Sequence, residues 1–301
     1  MDVQDQVDQV PEATMNSLPP EILSKIISNL NLRDRISLRS VDKYINRVEE
    51  IAGYRKFGQI FYDLDIGIEI TEEMDGEEEP RTMRIDISTT DLGNYFMRGE
   101  AAELALRLGV LTDETARMLC NSFKTLHFQQ LTVHLEKDSA CRFVESFIRE
   151  HPCIEHLEIL LTDFEGEIER VKEMLHTLPP MATYRVLAHG RPVVTDETLL
   201  HLLRKSSKNV ELRSGTKPAD ITAVGLNEAF EIVNSSTMER KVDFTIPRDQ
   251  FRSWLHMIDL SRFSVNKKRK ILTDYDSGTT VDFSARCPYS MFCISIKSDL
   301  C

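Results

Sequence analysis

Cysteine and histidine come together at short spacing in one place. Cys141, His151, Cys153 and His156 lie close along the chain, and Cys153-x-x-His156 has the look of half a zinc site. A structural zinc takes four such donors, usually as two closely spaced pairs. No second C-x-x-C or H-x-x-x-H pair of standard spacing accompanies this one, and Cys153 and His156 flank the start of an apolar, strand-like run. Core and surface packing account for them better than a metal. His127, His134, His176, His189, His201 and His256 are scattered. The sequence has no G-x-x-x-x-G-K-[ST] or G-x-G-x-x-G phosphate loop, no H-E-x-x-H and no G-x-S-x-G elbow. Carboxylates are so abundant that choosing two as acid and base would be arbitrary. The expectation is a non-enzyme with no catalytic residues, no cofactor and no metal.

Charge and composition narrow the partners. The net charge of −12 argues against nucleic acid, whose phosphates need a basic face. No apolar run approaches the ~18 residues of a membrane span. The first fifteen residues, with Asp2, Asp5, Asp8 and Glu12 and no apolar core, read as a disordered acidic tail and not as a signal peptide. Six cysteines without a secretory signal imply free thiols and a cytoplasmic or nuclear location. Lys267, Lys268, Arg269 and Lys270 could form a nuclear-import or acidic-lipid patch, but one short basic run on so acidic a chain reads better as a solvated loop.

With no chemistry to position, attention passes to elements that present surfaces. Residues 18–50 run LPPEILSKIISNLNLRDRISLRSVDKYINRVEE. Asn16 or Ser17 can cap a helix, Pro19 and Pro20 fit its first turn, and Glu21 favours its dipole. Ile22, Leu23, Ile26, Ile27 and Leu30 recur at helical spacing in a stripe too wide for one neighbour. A second helical stretch from Asp34 carries Ile36, Leu38, Val41, Tyr44, Ile45 and Val48, with Arg33, Arg35, Arg39, Lys43 and Arg47 between them. So small a unit buries little on its own, so part of its stripe should face a partner.

This stretch resembles an F-box. Leu18, Pro19, Glu21, Ile22, Leu23, Ile26, Ile27, Leu30, Leu38, Val41 and Lys43 match the family pattern. Asp42 and Tyr44 or Ile45 depart from the Cys and Trp that many members carry. The resemblance implies docking onto a Skp-type adaptor and, through it, a cullin. Leu18, Pro19, Ile22, Leu23, Ile26, Ile27, Leu30, Leu38 and Val41 would be the adaptor-binding residues, part of the stripe packing on the second helix and the rest left for the adaptor.

Beyond Gly53 the pattern changes. Residues 59–70 and 82–88 read as two strands around the acidic run EEMDGEEEP. Residues 100–111, EAAELALRLGVL, read as a helix, and 113–123 continue in that mode. Strand-like runs then start at residues 131, 156, 183, 209 and 241, alternating with helical patterns at 141–150, 167–175, 196–205 and 222–232. A strand-to-strand step of 25–32 residues needs a helical crossover and a mostly parallel sheet. The expected fold is therefore α/β: an all-helical F-box over residues 16–55, then an irregular, leucine-rich-like repeat over 56–301. An ordinary parallel α/β domain is the alternative, since the strict leucine-rich signature is absent. Residues 246–258 predict an amphipathic helix with Phe251, Trp254, Leu255 and Ile258 inward, and 279–285 with 289–296 predict a terminal β pair.

An F-box followed by a β segment, an irregular α/β region and FTIPRDQFRSWL (Phe244 to Leu255) also resembles the large nematode F-box families with an F-box-associated domain, commonly of the FTH type. The resemblance implies the substrate-recognition subunit of an SCF-type ubiquitin ligase, with an unidentified protein substrate held by the C-terminal domain. The alternative from another class is a scaffold outside the ubiquitin pathway whose N-terminal helices only cap a solenoid.

Overall fold

Apolar residues at every second position recur in six successive runs between residues 99 and 247, and each run is a strand. The computed structural model describes residues 18–30, 34–35, 38, 44–45, 48, 55–72, 82–85, 96, 99–189, 192–214, 219–286 and 291–298. The chain divides at Arg55/Lys56 into two compact units.

The second unit is built on a thirteen-stranded sheet. Its centre is β4 (Gly99–Leu108), β5 (His127–Leu135), β6 (His156–Leu160), β7 (Met181–Leu187), β8 (Ser206–Arg213) and β9 (Arg240–Pro247). Each pairs in parallel with the next in sequence. The crossovers carry α2 (Asp113–Phe123), α3 (Cys141–Glu150), α4 (Ile168–Thr177), α5 (Asp196–Lys205) and α6 (Ala223–Asn234). Strands that always step in one direction, joined by right-handed crossovers, put every crossover helix on one face of the sheet. Register shows which residues meet them. Leu104, Leu131, Leu157, Tyr184, Val210 and Val242 align in one row, and Leu106, Val133, Ile159, Val186, Leu212 and Phe244 in the next. All twelve are buried.

The edges are antiparallel. β1 (Arg55–Asp63), β2 (Gly67–Glu72) and β3 (Thr82–Ile85) form one flank. On the other side the chain leaves β9 through α7 (Arg248–Met257) to the outermost strand, β10 (Phe263–Asn266). It returns by β11 (Ile271–Asp274), β12 (Thr280–Arg286) and β13 (Met291–Ser298), which closes onto β9. In α7, Phe251 and Trp254 are buried while Leu255 and Ile258 are half-buried.

Two sequence expectations need correction. Residues 100–111 are not helical: Gly99–Leu108 is β4. Glu, Ala and Leu favour a helix locally, but Leu104, Leu106 and Leu108 alternate, and the hydrogen bonds offered by β5 decide the conformation. Residues 59–70 are two strands, not one. Asp63 Oδ1 accepts the amides of Asp65 (2.8 Å) and Ile66 (3.2 Å), and Gly67 at φ 102° completes a hairpin turn that the Asp-Leu-Asp-Ile-Gly sequence could have signalled. Of the strand expected over 82–88, residues 82–85 form β3 and the rest lie outside the described residues. The acidic tail likewise lies outside them.

The strand-to-helix turns interlock. Thr112, Thr195 and Thr222 each cap a helix by accepting an amide three residues on. Thr222 is also held from the preceding repeat: its amide and hydroxyl donate to the two Asp196 carboxylate oxygens at 2.8 and 2.6 Å. Gly225 leaves the room, since a Cβ there would lie 1.9 Å from Asp196 Oδ1. Gly225→Ala is therefore expected to lower the urea midpoint, by about 1–3 kcal/mol of stability, and the further cost should shrink when Asp196→Ala has already removed the obstructing carboxylate. Equal costs in both backgrounds would refute the clash.

At the far flank, Asp274 is buried and accepts the amides of Asp276 and Ser277 and two Arg262 nitrogens, at 2.7–3.1 Å. Burial pushes its carboxyl up, but the two amides and the guanidinium outweigh that and hold it below its usual value. A depressed native value contributes stability above the unfolded pKa that is lost as pH falls through the native one. Asp274→Asn is expected to cost about 2 kcal/mol at neutral pH, with the gap from the parent closing below about pH 4. Denaturant titrations across that range check both.

Candidate protein-interaction surfaces

The first unit contains α1 (Pro20–Ser28). Its start follows from Pro20 at the first turn and Glu21 beside it. Its far end is held by a residue whose sequence reading assigned it no contact: Arg35 Nε donates to the carbonyls of Ile27 and Leu30 at 2.9 and 3.1 Å, satisfying acceptors that a helix end leaves open. Tyr44 adds a hydroxyl bond to the Leu18 carbonyl at 3.4 Å.

Turn by turn, the wide apolar stripe is divided in two. Leu23 and Ile27 are fully buried against Ile45 and Val48, with Leu38 and Tyr44 packed at the border. Ile22 and Ile26 are 49% and 39% exposed. Pro19 is exposed, and Leu18 and Leu30 are half-buried. Val41 lies outside the described residues. The structure therefore separates the nine candidate residues. Leu23 and Ile27 hold the unit together, while Pro19, Ile22 and Ile26 present a continuous accessible strip. A 100° rotation per residue is enough to send Ile22 and Leu23 to different sides.

Residues 15–41 match the F-box domain family. The chain carries an F-box. F-box domains generally bind Skp-type adaptors, and they are typically non-catalytic. No curated protein matches the chain. The matched residues include all of α1, with Ile22 and Ile26 on its exposed side.

The second unit offers the sheet face turned away from α2–α6. Its residues are in register too: Glu103, Gln130, His156, Thr183, Asn209 and Lys241 in one row, and Ala105, Thr132, Glu158, Arg185, Glu211 and Asp243 in the next. Opposite charges alternate across strands. Arg185 lies 3.1 Å from Glu158 and 3.0 Å from Glu211, and Arg213 reaches Glu211 at 2.5 Å. Lys241 pairs with Asp243 at 2.7 Å, and Arg107 bridges Glu136 (2.6 Å) and Asp63 (3.3 Å). Burial, and then the Arg107 guanidinium, push the His134 imidazole below its ordinary value, favouring the neutral ring. A depression of about 310 Å³ opens on this face beside Arg213, Lys241, Asp243, Asp282 and Cys293. The face is polar, and its charges are largely matched within it.

The cysteine–histidine group resolves into packing. His151 is buried, with Nδ1 2.7 Å from the Phe147 carbonyl and Nε2 3.1 Å from that of Phe123, so the ring joins the ends of α2 and α3. Burial, then Asp138 and Glu145, push the Cys141 thiol up to about 12. Among the described residues no group of three His, Cys, Asp or Glu side chains is placed to hold a metal.

Hydrogen exchange should report the division of the F-box stripe. Leu23→Ala or Ile27→Ala is expected to remove about 2–5 kcal/mol from the first unit and accelerate exchange through residues 20–48. Ile22→Ala and Ile26→Ala should leave the pattern nearly unchanged. Equal effects from both pairs would contradict the inward and outward assignment.

Proposed function

We propose that this chain is the substrate-recognition subunit of an SCF-type ubiquitin ligase. An all-helical F-box docks on the Skp-type adaptor and through it a cullin, and residues 56–301 hold a protein substrate. The observation that carries this reading is the coincidence of the F-box match with an exposed apolar strip, Pro19, Ile22 and Ile26, on the matched helix. Two exposed isoleucines and a proline are a poor surface to leave in water and a good centre for an interface that excludes charge. A stable complex would bury about 1,600 Å² in total, so Leu18, Leu30 and neighbouring side chains join the strip at its rim.

The chemistry asked of such a chain is proximity. Holding a substrate on one unit and the adaptor on another makes transfer of ubiquitin to a substrate lysine effectively intramolecular, with the bond-making groups supplied by other subunits. The second unit is read as the FTH-type F-box-associated domain of the large nematode F-box families, built as an irregular, leucine-rich-like α/β repeat; the 25–32-residue strand step supports the repeat and FTIPRDQFRSWL the family. The helix-free sheet face is a natural place for substrate, because no crossover helix covers it. A cytoplasmic or nuclear location follows from the partners.

A pull-down with a Skp-type adaptor tests the reading. Leu18→Ala with Pro19→Ala, and separately Ile22→Glu with Ile26→Glu, should each lower adaptor recovery at least about tenfold, the equivalent of ~1.4 kcal/mol. The unfolding transition of the second unit should be unchanged. Recovery equal to the parent from both double variants would dismiss adaptor docking through this strip.

A further inference from the structure

The outermost strand of the sheet ends in a charge cluster that nothing in the F-box reading uses. β10 pairs with β11 on one side and, among the described residues, has no strand on the other. The Tyr275 amide donates to the Arg262 carbonyl. The in-register pairs that follow two and four residues on, Ser264 with Thr273 and Asn266 with Ile271, therefore direct their backbone groups toward β11. Val265, between them, directs its N–H and C=O to the open side. Its side chain is 49% exposed, and Ser264 and Asn266 are exposed as well.

Directly beyond β10 lie Lys267, Lys268, Arg269 and Lys270, all exposed. Among the described residues none of the four is in an ion pair. On a chain of net charge −12 this is a local excess of four positive charges. The turn that carries them is held in shape: Asn266 Oδ1 accepts the Arg269 amide at 3.1 Å, Lys270 takes a left-handed φ of 55°, and its carbonyl accepts the Phe283 amide at 3.0 Å. The opposite end of the strand exposes two large side chains, Leu260 at 48% and Tyr275 at 68%, among the polar Asp259, Ser261 and Arg262. Lysines that merely guard a strand edge are normally placed on the strand. Here the strand itself, Phe-Ser-Val-Asn, carries no charge, and the cations sit past its end.

We propose that the free edge of β10 is a strand-addition site for an extended acidic polypeptide segment. Val265 supplies the backbone hydrogen bonds, Lys267–Lys270 hold carboxylates at one end, and Leu260 with Tyr275 receive an apolar residue at the other. Addition at an edge draws affinity from main-chain bonds and specificity from the flanking side chains, which is what a neutral strand between a cationic turn and the exposed Leu260 and Tyr275 provides. A free edge demands a polypeptide, because neither a lipid surface nor a nucleic acid can continue the ladder. The proposal stands apart from adaptor docking, since it concerns the other unit.

The full-length chain should bind a fluorescent peptide of about eight alternating valines and glutamates, the common span of a strand. Replacing Lys267, Lys268, Arg269 and Lys270 by serine, or Val265→Pro, should each weaken binding by about tenfold or more, the loss of one or two net bonds. If Val265→Pro disturbs the fold, the ligand can carry the test: the same peptide N-methylated at every backbone amide keeps its charge and offers no N–H on either edge, so it should bind the parent chain at least tenfold more weakly. Equal binding by methylated and unmethylated peptides would overturn strand addition in favour of simple charge attraction. Binding to phosphatidylserine vesicles or a single-stranded oligonucleotide, with none to the peptide, would overturn the polypeptide assignment.

Discussion

The parallel, sequential register from β4 to β9 is the constraint on which the second unit depends. Each strand pairs only with its neighbours in sequence, so every crossover moves the same way and lands on the same side. Two buried rows, from Leu104 to Val242 and from Leu106 to Phe244, then become one core shared by five helices. Among the described residues of the second unit no crossover helix packs on the opposite face, and its rows are correspondingly polar, with Arg185 between Glu158 and Glu211 as their centre. Exposed pairs of this kind contribute little to stability individually. Their effect is to leave a wide polar face on which several opposite charges meet.

Such a ladder has two ends, and both end in antiparallel strands. At the far flank the path is indirect: the chain travels to β10 first and fills the gap to β9 on its return. Asp274 secures that return by tying Arg262, just before β10, to the turn after β11. Among the described strands, β10 is left at the end of the order with β11 as its neighbour.

The first unit solves a different problem with few residues. A helix of nine residues carries more apolar surface than one neighbour can cover. Leu23 and Ile27 are committed to Ile45 and Val48, and Ile22 and Ile26 are left outside. A buried and an exposed apolar face thus lie side by side on one helix. Arg35 makes this workable by closing the end of the helix, so that the inner face need not be extended for stability.

Much of this was legible from residue order. Helical spacing placed α1 and its stripe, the Leu-Pro-x-Glu pattern pointed to the F-box, and the 25–32-residue step placed β5 to β9 with their crossovers. These signals are local and periodic, so neighbours along the chain suffice to produce them. Residues 100–111 misled because alanine, leucine and glutamate prefer a helix in isolation, whereas β4 exists only because β5 lies beside it. The same limit hid which half of the F-box stripe faces inward, the clasp of Arg35 on α1, and the free edge of β10. By itself the sequence determined periodicity, charge and the resemblance of residues 18–50 to an F-box. The tertiary structure decided which of those surfaces are spent on the core and which remain open, because that choice rests on contacts between residues far apart along the chain.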